Sequence, residues 1–273
     1  MRAPPFAFAE LQCLSNFSFL TGASHPEELV RQAAALGYRA LAMTDECSLA
    51  GVVRAHGAAR EAGIGLLIGT QVRLTDGPRL TLLAMDAAGY ARLSRLVTRG
   101  RRRADKGDYR LTRQDLDDGL PGCLVLLPVD ARGFPEAHIE WARQRFSGRL
   151  YLAVTRQLRQ GERRLLRQVR ELGERHGLPI VASNNAIMHV PERQPLADVL
   201  AATRHRCTLD EAGYRLAANA ERHLHDLDRL DRRYPRAWLD ETLRAAERCR
   251  FSLDMLRYEY PDDDVPPGET PSG

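Results

Sequence analysis

The fold is decided by residues 6–45, whose sequence is FAFAELQCLSNFSFLTGASHPEELVRQAAALGYRALAMTD. The apolar run at residues 6–11 predicts a first strand. Ser24 and Glu27 have the spacing of a capping box and predict the start of a helix, whose apolar face follows. A second apolar run at residues 40–43 predicts a second strand. A strand, a helix and a strand in this order predict a βαβ unit at the start of the chain.

The same alternation continues to about residue 195. The predicted strands are 66–74, 79–85, 123–127, 150–154 and 180–182, and the predicted helices are 51–62, 86–99 and 162–176. This order predicts an α/β fold with a mostly parallel sheet and helices outside it. Periodicity and composition leave two alternatives open, a closed barrel and an open doubly wound sheet.

Beyond Pro195 the pattern is helical. The predicted helices are 196–203, 210–212, 220–227 and 238–249. Residues 258–268, YEYPDDDVPPG, then break all periodicity. We therefore expect three segments: a main domain at 5–195, a helical extension at 196–257 and a linker at 258–273.

Composition excludes some classes of protein. The chain has 273 residues, 44% of them hydrophobic, and a formal net charge of only +4. It has no run of about 18 apolar residues, so we expect no membrane span and no membrane partner. The amino-terminal residues lack the apolar run of a signal peptide. The five cysteines form no C-x-x-C pair, which favours a reducing, cytoplasmic location over a disulfide scaffold or a zinc knuckle.

Four strings of residues carry a family resemblance. They are AELQCLSNFSFL at 9–20, GASHPEEL at 22–29, MTDECSLAG at 43–51 and HVPER at 189–193. In sequence and order they resemble the PHP (polymerase and histidinol phosphatase) domain that opens the α subunits of bacterial C-family replicative DNA polymerases, and most of all its error-prone, damage-inducible branch. The resemblance implies a distorted (β/α)7 PHP barrel. It also implies that the chain is the amino-terminal piece of a longer polymerase, with residues 258–273 leading towards a palm domain that this sequence lacks.

The resemblance also implies where metal ligands lie in metal-active members: His at positions 12, 14 and 46, Asp at 45, Glu at 71, Asp at 185 and His at 187. The corresponding residues here, with one nearby histidine, are Gln12, Leu14, Asp45, Glu46, Gln71, Asn185, Ile187 and His189. Amides are weak metal ligands, and aliphatic side chains cannot ligate at all. We therefore expect a degenerate site with no catalytic residue, no metal and no cofactor in this segment.

Two interpretations of the remaining polar groups stay open. Asp45, Glu46 and His189 could hold one Mg²⁺ ion together with water molecules. Alternatively, Asp45 caps a helix that begins near Ser48, Glu46 accepts hydrogen bonds from backbone amides, and His189 orients its own loop. In the second interpretation the amides at positions 12, 71 and 185 bond one another and fill the former site as a neutral polar plug.

Two further clusters are candidate sites. The basic run Arg99, Arg101, Arg102, Arg103 and Lys106, which continues to Arg110 and Arg113, could contact nucleic acid or a neighbouring domain. No aromatic residue lies between Arg99 and Lys106, which favours a solvated helix end. His223 and His225 lie in a predicted helix, where a spacing of two residues would point them apart and leave them on the surface.

Three functions follow from these observations. The first is a non-catalytic structural domain of an error-prone, translesion DNA polymerase, whose full-length form extends primers with dNTPs and uses Mg²⁺ at an active site outside this segment. The second is a residual metal-dependent 3′–5′ exonuclease or phosphoesterase. The third is a DNA- or partner-binding module. The resemblance implies DNA, the remaining polymerase domains, a sliding clamp and a mutagenesis-cassette protein as partners, although no residue here indicates the last two contacts.

Overall fold

The computed structural model describes residues 6–129 and 136–256. Within these ranges seven strands form one sheet, in which they follow the same order as in the chain. The strands are β1 (Ala9–Glu10), β2 (Ala40–Met43), β3 (Gly65–Arg73), β4 (Arg79–Ala84), β5 (Cys123–Val129), β6 (Leu150–Val154) and β7 (Ile180–Ala182). The helices are α1 (Pro26–Ala35), α2 (Val52–Ala62), α3 (Ala87–Arg102), α4 (Glu136–Arg145), α5 (Glu162–His176), α6 (Gln194–His205), α7 (Leu209–Ala212), α8 (Leu227–Arg233) and α9 (Arg236–Glu247).

The sheet is mostly parallel, as predicted. Strands β1, β2 and β3 are mutually parallel, and so are β5, β6 and β7. Strand β4 is antiparallel to both of its neighbours, because a short turn connects it directly to β3. This hairpin places Arg73 opposite Arg79 and Gln71 opposite Thr81.

The sheet curls until its first and last strands meet. Just beyond β1, Cys13 forms a parallel bridge with Ala186, which lies just beyond β7. The Leu14 N–H donates to the Ala186 carbonyl at 2.8 Å, and the Ala186 N–H donates to the Gln12 carbonyl at 3.2 Å. Of the two alternatives, the structure therefore has the curled, barrel-like sheet and not the open doubly wound one.

Both faces of the sheet are buried. One face contributes side chains to a core shared with α1 to α5, and alternate residues contribute to a second, inner cluster that includes Ala245 of α9. Examples from the first face are Leu41, Ile68, Leu82, Val125 and Leu152, and examples from the inner face are Ala42, Leu67, Leu83, Leu124 and Tyr151. Because a strand alternates its side chains, this two-sided burial gives continuous apolar runs.

Helix α1 begins one residue later than the capping-box prediction requires. His25 occupies the N-cap position, and the Glu28 carboxylate accepts a hydrogen bond from the His25 N–H at 2.8 Å. The prediction of a Ser24–Glu27 box was therefore wrong. Ser24 is used elsewhere, because its hydroxyl bonds to His189 at 2.7 Å.

One further helix prediction was wrong, and one helix was not predicted. Residues 220–226 form a loop, and α8 begins only at Leu227. The loop is fixed by backbone contacts with the strand-like segment after β7, including the Ile187 N–H, which donates to the Arg222 carbonyl at 2.9 Å. Helix α4 was not predicted. It buries only Ile139 and Ala142, so its sequence carries almost no apolar periodicity.

The helical extension packs back against the sheet. Helix α9 contacts β7 and β1, and the Ala9 N–H donates to Thr242 Oγ1 at 3.2 Å. The division at residue 195 stays a prediction, and the predicted linker at 258–273 lies outside the described residues. Among the described residues, no helix combines the length and apolarity that a membrane crossing requires.

Two helical glycines provide a matched test of the packing. A Cβ at Gly89 in α3 would lie 1.9 Å from the Gly122 carbonyl oxygen, whereas a Cβ at Gly57 in α2 would have no heavy atom within 4 Å. We expect Gly89→Ala to lower the free energy of unfolding by about 1–3 kcal/mol through overpacking. Gly57→Ala should raise it by about 0.5–1 kcal/mol through helix propensity. Urea unfolding measures both, and equal effects of the two substitutions would contradict the packing described.

Candidate functional site

Polar side chains converge at the edge of the sheet where β1, β2, β3 and β7 end. This is the edge at which barrel proteins assemble their sites. Gln71 Nε2 donates to Thr44 Oγ1 at 3.2 Å and lies 3.3 Å from Asn185 Oδ1. Gln12 Nε2 donates to Thr81 Oγ1 at 2.7 Å. The three amides of the degenerate metal positions are thus buried or half-buried, and they form hydrogen bonds with threonines and with one another.

A cation that the sequence did not reveal completes this network. Arg222, from the loop before α8, donates from Nε to the Asn185 carbonyl at 3.0 Å, and its Nη2 lies 3.4 Å from Asn185 Oδ1. Burial, followed by the charges of Arg79, Arg159 and Arg204, lowers the pKa of Arg222 to about 10. The guanidinium therefore remains charged at neutral pH. We name Gln12, Gln71, Asn185 and Arg222, with their threonine partners, the mouth network.

Asp45 is buried beside the mouth network and is fully hydrogen-bonded. It accepts from the Ser15 N–H at 2.7 Å, the Ser15 hydroxyl at 2.8 Å and the Ser18 hydroxyl at 2.7 Å. Burial nevertheless raises its pKa. Asp45 therefore pins the loop after β1, and the prediction that it caps a helix near Ser48 was wrong, since the N-cap of α2 is Gly51.

Glu46 points towards a different part of the molecule. Its carboxylate accepts a hydrogen bond from the Tyr109 hydroxyl at 2.8 Å, and not from backbone amides as predicted. Its carbonyl accepts from Arg101 at 3.0 Å. The carboxylates of Asp45 and Glu46 therefore have separate partners. Adjacent residues leaving a strand point to opposite sides, and this explains why two neighbouring carboxylates do not converge.

The other degenerate positions are apolar or structural. Leu14 and Ile187 are buried in a small cluster with Met188. His189 forms two contacts with Ser24: its ring Nδ1 lies 2.7 Å from the hydroxyl oxygen, and its backbone N–H donates to that oxygen at 2.9 Å. Burial lowers the pKa of His189. The histidine thus holds the loop after β1 against the segment after β7.

The donor set does not fit the multinuclear metal centre that the family resemblance implies. Among the described residues, no three His, Cys, Asp or Glu side chains come together as a metal would need. The amides of Gln12 and Gln71 bond to threonines. The Arg222 guanidinium already places a positive charge at this position, and a metal ion would add further positive charge beside it. Within the mouth network, Gln12 Oε1 is buried and has no hydrogen-bond partner.

A buried carboxylate at the meeting point of β1 and β7 escaped the sequence analysis. Glu10 accepts from the Ser183 hydroxyl at 2.6 Å, the Asn184 N–H at 2.8 Å and the Gln12 N–H at 2.9 Å. Asn184 Nδ2 in turn donates to the Tyr38 hydroxyl at 3.0 Å. Glu10 lies in an apolar run that predicts only a strand. Its role depends on contacts with Ser183 and Asn184, which are far away in the sequence.

The basic run on α3 has mostly structural contacts. Arg101 donates to the carbonyls of Glu46, Cys47, Gly107 and Asp108. Arg103 binds Asp115 at 2.7 Å, and Arg99 lies 3.4 Å from the same carboxylate. Arg102 lines a surface groove of about 520 Å³ together with Ser94, Arg95, Thr98, Arg99 and Arg103, and Lys106 is exposed. Contact of this run with DNA or another domain stays a prediction.

The two histidines of the 220–226 loop are buried, so the prediction of a surface position was wrong. Their rings are 4.3 Å apart in an edge-to-face arrangement, which is possible because no helix forms there. Burial, followed by the charge of His223, lowers the pKa of His225 to about 2. Glu221 nearby pairs with Arg229 and Arg233, both at 2.5 Å. The pair is therefore neutral packing next to an ion-pair cluster.

Comparison with known proteins places these observations in context. Residues 10–171 match the family model of the PHP domain. An error-prone DNA polymerase of Methylococcus capsulatus is 54% identical over 266 residues, which are 96% of this chain and 25% of that protein. An error-prone DNA polymerase of Aromatoleum aromaticum is 54% identical over 272 residues, which are 97% of this chain and 25% of that protein. The chain thus spans about a quarter of the length of these curated relatives.

Among solved structures, a candidate metal-dependent phosphoesterase from Bifidobacterium adolescentis aligns with a TM-score of 0.48 and 16% identity, over 67% of this chain and 88% of that one. An amidohydrolase from Chromobacterium violaceum aligns with a TM-score of 0.46 and 18% identity, over 64% of this chain and 86% of that one.

The Glu10 seam predicts a pH dependence of stability. Burial raises the pKa of Glu10 above its usual 4.5, although its hydrogen bonds act in the opposite direction. The folded protein thus keeps this proton to a higher pH than the unfolded chain, so the free energy of unfolding should fall as pH rises from about 4.5 through the folded-state pKa. Glu10→Gln should remove this part of the slope.

Urea unfolding between pH 4.5 and 8 measures the effect, with the exposed carboxylate of Glu171, changed to Gln, as the matched control. The control should leave the slope as in the unchanged chain. Parallel curves for the unchanged chain and Glu10→Gln would contradict the assignment.

Proposed function

We propose, from the premise that this chain belongs to the PHP domain family, that it is a non-catalytic, structural PHP domain of an error-prone DNA polymerase. The mouth network is the observation that supports the absence of catalysis. Metal-dependent phosphoester cleavage needs several charged or imidazole ligands and an open position for substrate or water. Here the equivalent positions hold amides and aliphatic groups, and a guanidinium is bonded among them.

A structural role is supported by how the polar groups are used. Asp45, His189 and Glu10 each join segments that are distant in the chain, and each is buried or half-buried in hydrogen bonds. Removing such a group leaves buried donors without a partner, at a cost of about 1–3 kcal/mol each. The polar residues around the mouth therefore hold the barrel together, where in a metal enzyme they would act on substrate.

The polymerase context is supported by the relatives, which are named error-prone DNA polymerases and are about four times as long as this chain. The full-length protein would extend DNA primers with dNTPs, past lesions in the template, and would use Mg²⁺ at an active site outside the present segment. Its remaining domains would be the principal partners of this one. A sliding clamp and a mutagenesis-cassette protein are further proposed partners.

Metal analysis provides the first test. We expect less than one equivalent of Zn, Mn or Fe after desalting, because the described residues offer no set of three convergent ligands. A chelator should leave the melting temperature unchanged. A tight site at a hundredfold excess of metal over its Kd would add about 2.7 kcal/mol, which is easily seen in thermal unfolding. One full equivalent of transition metal, or a lower melting temperature in chelator, would support a residual enzyme.

Cleavage of a 5′-labelled single-stranded oligonucleotide with Mg²⁺, Mn²⁺ or Zn²⁺ provides the second test. We expect no 3′–5′ degradation by the chain or by Gln12→His, since one added imidazole leaves Arg222 and the amides in place. Asp45→Asn is the control for contamination: a genuine residual enzyme at the mouth would lose activity with this change, whereas a contaminating nuclease would not. Metal-dependent cleavage that Asp45→Asn abolishes would overturn the proposal.

A further inference from the structure

Four arginines from four different parts of the chain surround the mouth network. Arg222 lies within it, and the charges of Arg79, Arg159 and Arg204 all act on its guanidinium. Arg79 begins β4, Arg159 lies in the loop between β6 and α5, and Arg204 lies in the last turn of α6. These arginines are separated in sequence, so the fold alone brings them together.

Register and hydrogen bonds independently place the segments that carry these arginines around the mouth. Arg79 is two residues before Thr81, so both side chains leave the same face of β4, and Thr81 binds Gln12 of the mouth network. Arg204 donates to Thr21 Oγ1 at 2.8 Å, on the loop after β1. The loop that carries Arg159 is tied to the loop that carries Arg222, because Asn219 Nδ2 donates to the Gln157 carbonyl at 2.8 Å.

These positive charges have no counterion within the described part of the chain. None of the four arginines has a carboxylate within ion-pair distance there, whereas many other arginines are paired. The nearby carboxylates are already engaged: Asp45 accepts from Ser15 and Ser18, Glu221 binds two arginines of α8, and Glu162 binds Arg156. Four like charges around a partly buried centre repel one another and focus a positive potential at the mouth.

We propose that the mouth of the barrel is a phosphate-binding site formed by Arg79, Arg159, Arg204 and Arg222. The planar guanidinium group matches phosphate oxygens in bidentate geometry, and a phosphate carries enough negative charge to offset several arginines at once. Arginine thereby provides the positive charge that metal ions would otherwise supply, but it supplies no activated water. The site binds phosphate without cleaving it.

Gln12 is consistent with such a ligand. Its buried Oε1 lacks a partner while its Nε2 donates to Thr81. Rotation of the amide by 180° would let the oxygen accept the Thr81 hydroxyl proton and leave an N–H free to donate to an anion. The two orientations differ only in which amide atom is placed at which position.

Calorimetric titration of the whole 273-residue chain with sodium pyrophosphate at low ionic strength tests the proposal, against sodium chloride at equal ionic strength. We expect saturable binding of pyrophosphate only. Arg79→Gln and Arg159→Gln should each weaken it about tenfold, the loss expected for one charge-assisted contact. Neither side chain forms a hydrogen bond within the described residues, so both variants should fold. Arg222→Gln should have the largest effect, but it also removes the bonds to Asn185 and is therefore secondary.

Arg95→Gln and Arg102→Gln, in the groove on α3, are the matched controls, and they should bind like the unchanged chain. A second arm uses fluorescence anisotropy of a labelled single-stranded oligonucleotide. If the oligonucleotide binds, competes with pyrophosphate and binds more weakly to the Arg79 and Arg159 variants, the phosphate source is the nucleic-acid backbone. If only pyrophosphate binds, the ligand is a free phosphate compound. No binding of either probe, or equal losses in the α3 controls, would overturn the proposal.

Discussion

The carboxylate of Glu10 is the constraint on which the rest of the barrel depends. A sheet whose strands follow chain order has its first and last strands as free edges unless it curls until they meet. Glu10 joins these edges by accepting hydrogen bonds from Ser183 and Asn184, beside the Cys13–Ala186 bridge. A buried carboxylate is costly, and three donors offset much of that cost. With the edges joined, residues beyond β1 and β7 lie side by side, and this creates the mouth.

The buried polar residues at the mouth need hydrogen-bond partners, and they find them in one another. Glutamine and asparagine carry both donors and acceptors, so they can bridge hydroxyl groups without adding charge. Thr44, just after β2, and Thr81, in β4, supply those hydroxyls. Arg222 contributes the one charge within the network, and its guanidinium donates to the backbone and side-chain oxygens of Asn185. Asn185 itself has a left-handed backbone conformation, with φ 46°. Asparagine tolerates that conformation better than most residues do.

The sequence predicted elements whose signal is local. Strands β2, β6 and β7 and helix α5 begin and end where their apolar patterns predict, because burial leaves a direct mark on the sequence. The positions of the degenerate residues near the strand ends were also predictable from the family resemblance. Arg222 and Glu10 were not, since their partners lie 37 and 174 residues away and neither has a distinctive local pattern. The 220–226 loop was misassigned for a similar reason, because contacts with the segment after β7 override its helical pattern.

The presence of a guanidinium in the mouth also constrains how this domain can evolve. An aspartate arising at position 185 would meet Arg222 first, and an ion pair of that kind stabilises the fold without creating a metal ligand. Loss of Arg222 before such a change would leave the Asn185 backbone carbonyl without its donor, and loss after it would leave a buried carboxylate unpaired, which costs about 3–5 kcal/mol. Both orders of these two changes therefore pass through a less stable intermediate. Positions 185 and 222 are therefore epistatic: the effect of a change at either position depends on the residue at the other.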